Sequence, residues 1–170
     1  SKDTGLYNTL DCHAFGIPSA ELLFDLEFFN IDPEPFYKFA KVLLPTSNVK
    51  PSPCHRFIHK LDQSKKLLKC YTQNIDGIER RMGISKKTLI ECHGSMETFR
   101  CQACNKKVAS EKVKDTVRSG KVPYCGCKNE GVLKPDITFF GEELPIPFMS
   151  SLNEKLLKAD LVLVMGTSLK

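Results

Sequence analysis

Four of the eight cysteines come as two tight pairs, Cys101-Gln-Ala-Cys104 and Cys125-Gly-Cys127. Tetrahedral zinc takes four thiolates at about 2.3 Å. A Cys-x-x-Cys turn presents two sulfurs to one ion, and a second pair from a separate hairpin completes the shell. Such a shell is closed, so the expected ion is one structural zinc held by Cys101, Cys104, Cys125 and Cys127. The second pair is one residue tighter than the usual knuckle, and Gly126 is expected to relax the backbone enough for that bite. The segment 95–131 around the pairs is polar and lysine-rich, so the metal must supply much of its folding energy. The remaining cysteines, Cys12, Cys54, Cys70 and Cys92, stand singly and read as small buried hydrophobes.

A second set of chemically able residues stands directly after apolar runs. Gln73-Asn74-Ile75-Asp76 follows Leu67 to Thr72, His93-Gly94 follows Thr88 to Cys92, and Gly166-Thr167-Ser168 follows Leu161 to Met165. In open α/β sheets ligands bind at the carboxyl ends of strands. Amide and carboxylate side chains there can hold ribose hydroxyls, and a histidine there is a natural general base near neutral pH. Gly94 allows close backbone approach, and Gly166-Thr-Ser offers donors to a phosphate. Each signal alone also fits plain turn chemistry; their joint placement after three runs is the informative feature. His13, His55 and His59 read as surface or packing residues.

These residues need elements to place them. Helical spacing runs from Ser19, an expected N-cap, through Leu22, Leu23, Leu26 and Phe29. A second helix is expected from about Glu34 to Pro45, and a third from Ser52-Pro53, with Phe57, Ile58 and Leu61 as its apolar face. A short helix is expected at Ile78 to Met82. Strands are expected at Leu67–Thr72, Thr88–Cys92, Val132–Phe140 and Leu161–Met165. Strands alternating with helices argue for a parallel α/β sheet. The segment 95–131 reads as an inserted zinc-binding module; 1–94 and 132–170, with a helical insertion at about 16–50, read as the main domain.

Composition narrows the class. With 170 residues and 41% hydrophobic content, the chain can bury a core without disulfide staples. No apolar run nears the roughly 20 residues of a membrane helix. A net charge of +5 gives little reason to expect a nucleic-acid partner. No two of the ten glycines are one residue apart, so no G-x-G-x-x-G fingerprint is present. Ser1 and the abrupt stop at Lys170 read as the two cut ends of a fragment.

The motifs, taken in order, resemble the sirtuins, NAD-dependent protein lysine deacylases. Tyr71-Thr-Gln-Asn-Ile-Asp-Gly77 resembles their cofactor-pocket motif and Glu91-Cys-His-Gly94 their catalytic motif. The cysteine pairs resemble their zinc module, Lys134-Pro-Asp-Ile-Thr-Phe-Phe-Gly-Glu142 their substrate segment, and Met165-Gly-Thr-Ser-Leu169 their later NAD-contacting turn. Thr4-Gly-Leu-Tyr7 and Asp32-Pro-Glu-Pro-Phe36 also fit, and the pattern is most similar to the protein-deacetylase branch.

The resemblance implies a Rossmann-like parallel sheet, incomplete at both ends, with an inserted helical and zinc-ribbon domain. It implies NAD as co-substrate and acetylated lysines of proteins, histones among them, as partners, with no sequence-specific nucleic-acid binding and no membrane. His93 would act as general base, with Asn74 and Asp76 placing nicotinamide and its ribose. Gln73, Tyr7, Gly166, Thr167 and Ser168 would complete the cofactor side. Thr138, Phe139, Phe140 and Gly141 would line the lysine tunnel, in a strand-adding mode with the peptide. The products would be free lysine, nicotinamide and O-acetyl-ADP-ribose, made by an intracellular protein of the nucleus or cytoplasm. The family's glycine-rich loop would precede Ser1, so the fragment itself is expected to bind NAD poorly and to be inactive. Alternatives are a non-catalytic zinc-ribbon module that binds protein or DNA, and a sirtuin preferring longer acyl groups or ADP-ribosyl transfer. Thr138, at a position where an aliphatic residue is usual, bears on acyl preference.

Overall fold

Apolar residues at three- and four-residue spacing near the start of the chain build several short helices rather than one long one. The computed structural model describes residues 11–44 and 49–167. Its helices are α1 (Leu26–Ile31), α2 (Glu34–Ala40), α3 (Pro53–Gln63), α4 (Ile78–Arg81), α5 (Lys114–Arg118) and α6 (Ile146–Leu156). Its strands are β1 (Cys70–Thr72), β2 (Leu89–Glu91), β3 (Gly94–Cys101), β4 (Lys107–Ala109) and β5 (Leu133–Ile137). Two compact units result. One takes the described part of Ser1–Val49 with Ile75–Gly77 and His93–Glu143; the other takes Lys50–Asn74, Ile78–Cys92 and Leu144–Lys170 as far as described. Helices α1 and α2 and strand β5 fall in the same compact unit as the cysteine segment.

In the first unit the helix expected from Ser19 is broken. A 3-10 turn covers Ala20–Phe24, Ser19 makes no capping bond, and Asp25 is extended at φ −92°. The Asp25 carboxylate instead caps α1 by accepting from Phe28 N at 2.8 Å. The cause is non-local. Asp25 bridges Phe140, with Leu26 N donating to Phe140 O at 3.1 Å and Phe140 N to Phe24 O at 2.7 Å. A backbone bonded sideways cannot also run in a helix. The Pro45 stop expected for α2 lies outside the described residues, and α2 itself ends at Ala40.

The sheet of this unit is antiparallel in the order β4-β3-β5, with Phe99 opposite both Val108 and Pro135. The strand expected at Val132–Phe140 therefore joins the cysteine segment and not a parallel sheet. The core lies between this sheet and the helices. Phe29, Phe36, Tyr37, Phe99 and Phe139 are fully buried. Phe29 meets Phe139 edge-on at 5.3 Å, and Phe36 meets Tyr37 at 5.0 Å. The Tyr37 hydroxyl donates to Leu133 O and fastens α2 to β5.

The second unit contains the parallel pair, β1 beside β2, with Cys70 opposite Leu89 and Thr72 opposite Glu91. Helix α4 lies in the connection between them, a small α/β unit. Ser52 caps α3 in a capping box with His55, yet no residue of the helix is fully buried: on the expected face Ile58 and Leu61 are half-buried and Phe57 is exposed. Helix α6 rests on β1, where the Tyr71 hydroxyl donates to Ser151 O at 3.2 Å. Leu161–Met165, expected as a buried strand, pairs with no described strand and is 46 to 73% exposed. An all-apolar strand needs a hydrogen-bonded neighbour and cover on both faces, and the described residues of this unit supply neither. Of the single cysteines only Cys92 is buried; Cys12 and Cys70 are half-buried and Cys54 is exposed, which corrects the expectation of four packing thiols. No described helix is long and apolar enough to cross a membrane.

Candidate functional site

The four paired cysteines converge. Their sulfurs all lie within 4.8 Å of one another. Cys101 Sγ is 3.8 Å from Cys127 Sγ, and Cys104 Sγ is 3.8 Å from Cys125 Sγ. A tetrahedron with metal–sulfur bonds of about 2.3 Å has edges of about 3.8 Å, so the thiols fit one structural zinc. Local chain geometry builds this set. Cys101 ends β3, Cys104 N donates to Cys101 Sγ at 3.4 Å, and Asn105 turns the chain with φ 61°. On the opposite hairpin Cys125 N donates to Gly131 O and Glu130 N to Cys127 O, both at 2.9 Å.

The glycine that this site requires is Gly131. A Cβ there would lie 2.6 Å from Ala103 Cβ and 2.7 Å from Cys101 Sγ. A Cβ at Gly126 would meet nothing within 4 Å, and Gly126 does not adopt a positive φ. The requirement expected at Gly126 is therefore misplaced, and spacing alone gave no signal for Gly131. The main-chain N–H of Gly131, joined by that of Asn129, pushes the Cys127 thiol down to about 6. Burial pushes Cys125 up to about 11. A divalent cation among them favours the thiolate at all four.

In the same unit His93 and the expected substrate segment meet through the backbone. Thr138 N donates to His93 O at 2.9 Å, and Gly94 pairs with Ile137. Gly94 has φ +73°, and a Cβ there would sit 2.0 Å from Asp136 O. Only glycine lets the histidine turn lie this close to β5. The segment then closes a turn in which Glu142 N donates to Phe139 O at 3.0 Å and Gly141 takes φ +90°, as a type II turn needs. Phe139 is 2% exposed within the aromatic core, while Phe140, at the tip, is 56% exposed. The N–H groups of Thr138, Phe139 and Phe140 are spent on His93 O, the Glu142 carboxylate and Phe24 O. Strand addition would thus fall to other backbone groups, Gly141 nearest among them.

A feature that sequence reasoning missed holds this turn. Lys134, 3% exposed, donates to Ile137 O at 2.8 Å, Pro135 O at 3.3 Å and Glu142 Oε2 at 2.7 Å. Its ammonium also lies 4.0 Å from the centre of the Phe139 ring. Burial lowers the Lys134 pKa, and the Glu142 carboxylate opposes that shift. A buried lysine paired with a glutamate eight residues on leaves no sequence pattern, because the loop between them decides the pairing.

Of the other expected residues, Asp76 is half-buried in the first unit. Gln73 and Asn74 are exposed at the end of β1 in the second, with Asn74 N donating to Thr72 Oγ1 at 3.2 Å. Gly166 has φ +70°, and it and Thr167 are exposed in the second unit. Tyr7 and Ser168 lie outside the described residues.

Comparison with known proteins closes the argument. The chain is 44% identical over 174 residues to the NAD-dependent deacetylase sir2A of Dictyostelium discoideum, a match covering all of this chain and 33% of that protein. It is 42% identical over 170 residues to the NAD-dependent protein deacetylase hst2 of Schizosaccharomyces pombe, covering 99% of this chain and 50% of that one. It is 41% identical over 170 residues to the NAD-dependent protein deacetylase sirtuin-3 of Mus musculus, covering 100% of this chain and 49% of that one. The chain thus spans between a third and a half of these relatives. The Sir2 family profile matches residues 1–170, and the chain, Rossmann-like in class, belongs to the Sir2 family.

Proposed function

We propose that this chain carries the histidine, substrate turn and zinc centre of an NAD-dependent protein lysine deacetylase. The observation that carries the reading is the bond from Thr138 N to His93 O, with Gly94 seated against Asp136. It fixes a candidate general base and a candidate substrate turn in one rigid frame, which a mere binding ribbon would not need. The relatives' names as NAD-dependent deacetylases support the same chemistry.

NAD supplies a ribose carbon whose neutral nicotinamide leaving group departs readily. The chain's work is then orientation, exclusion of water and one proton transfer. His93 takes the proton of a ribose hydroxyl at an imidazole nitrogen. Asn74, Asp76 and Gln73 orient nicotinamide and ribose, while Tyr7, Gly166, Thr167 and Ser168 hold the rest of the dinucleotide. Thr138 to Gly141 receive the acylated lysine. A zinc held by the thiolates of Cys101, Cys104, Cys125 and Cys127 would have no open position and would supply structure and no reacting group. The substrates are acetyl-lysine proteins, histones among them, and the setting is the nucleus or cytoplasm.

The test is His93→Ala in the protein that carries this chain. NAD consumption and deacetylation of an acetyl-lysine peptide should fall together by about 10²-fold or more, the scale of a general base. Turnover that survives the substitution would remove His93 from the chemistry.

A further inference from the structure

Burying an ammonium is costly unless every proton on it finds an acceptor. Lys134 meets that condition, with three acceptors and an aromatic face around it. The placement of those acceptors is informative. Two of them, Pro135 O and Ile137 O, lie in β5 just before the Phe139–Glu142 turn. The third, Glu142 Oε2, belongs to the turn's last residue, and the same oxygen also accepts from Phe139 N at 2.7 Å. One ammonium and one carboxylate oxygen therefore tie together the entry, the first residue and the exit of the turn. The entry side continues to the catalytic segment, since Ile137 pairs with Gly94 and Thr138 N donates to His93 O. The tip is held separately at Asp25, so the pair governs the turn's base and not its tip.

We propose that the Lys134–Glu142 ion pair is a positioning couple that sets the shape of the Phe139–Glu142 turn and thereby how tightly an acylated lysine is held. This rests on the deacetylase reading for the turn's substrate role. The pair touches no reacting atom in that reading; it acts through Phe139 and the turn backbone. Glu142→Gln keeps an oxygen for Phe139 N but removes the charge that faces Lys134. Lys134→Met keeps the stem and deletes the ammonium. Each should loosen the turn without altering His93.

The experiment uses the zinc-loaded protein that carries this chain, with zinc content and thermal melting checked for each variant. Steady-state kinetics with an acetyl-lysine peptide should show the peptide KM raised about tenfold, with kcat and the KM for NAD within about twofold. Amide hydrogen exchange at Phe139 should accelerate in both variants while Phe140, held at Phe24, stays unchanged, a readout that needs no activity. An unchanged peptide KM in a folded, zinc-loaded variant overturns the proposal. So does a fall in kcat that tracks lost thermal stability at constant KM, which marks a purely structural pair. If the unmodified protein turns over no acetyl-lysine peptide, the deacetylase reading fails. Exchange at Phe139 then decides the clamp, and unchanged exchange rejects it.

Discussion

The first unit buries most of its described aromatic residues in one another, while the second exposes much of its apolar sequence. Phe24, Phe29, Phe36, Tyr37, Phe99 and Phe139 form one cluster between helices and an antiparallel sheet. Among the described residues of the second unit the buried apolar ones are Ile78, Ile84, Leu89, Ile90 and Cys92, none of them aromatic. Ile146, Leu157 and the run Leu161–Met165 stand open. An antiparallel sheet can cover one face with helices and stand alone. A parallel pair cannot, since its strands need cover on both sides. The contrast separates what holds each part together: packing and a metal in one, a small α/β pair in the other.

Removing the metal should produce the largest effect and should be confined to the first unit. Cys101→Ala is expected to lower zinc from one per chain to none and to abolish the cooperative melting of that unit, read by metal analysis and calorimetry. Gly131→Ala should act in the same direction more weakly, because its Cβ would overlap Cys101 Sγ. Full zinc retention in Cys101→Ala would remove that thiol from the ligand set, and cooperative melting of the unit without zinc would show that packing alone supports it.

Packing should divide the units next. Phe36→Ala, in the aromatic core, should cost about 3–5 kcal/mol in denaturant unfolding. Phe57→Ala, on a helix with no fully buried residue, should stay within about 0.5 kcal/mol. Equal losses would mean that α3 has cover that the described residues do not show.

The smallest effect concerns the thiols that hold no metal. Burial, joined by Glu79, pushes the Cys70 thiol up to about 11. A raised pKa favours the neutral thiol, and only the thiolate reacts. At pH 8 about one Cys70 in a thousand is thiolate. Alkylation followed by mass spectrometry should label the exposed Cys54 first, with Cys70 gaining rate about tenfold per pH unit up to pH 10. Equally fast labelling of Cys70 at pH 8 would show that it is open to solvent.

The cysteine spacing and the polar residues after apolar runs were legible because they are local. Ligand pairs within a turn need no knowledge of the rest of the chain. Likewise, the Ser52-Pro53 start of α3 and the strands at Cys70–Thr72 and Leu89–Glu91 follow from short-range preference and pattern. The unit boundaries were not legible in this way. An apolar strand such as Leu133–Ile137 reads alike in a parallel or an antiparallel sheet, and only its partner β3 decides which.

The sequence by itself determined the two cysteine pairs, the Ser52-Pro53 start of α3 and the strands at Cys70–Thr72 and Leu89–Glu91, since each depends on residue type and near neighbours. The tertiary structure decided the break at Asp25, the need for glycine at Gly131 and the burial of Lys134 against Glu142. Each of those depends on a backbone or charge brought near by a loop, and the energy of such a contact is written in no single segment.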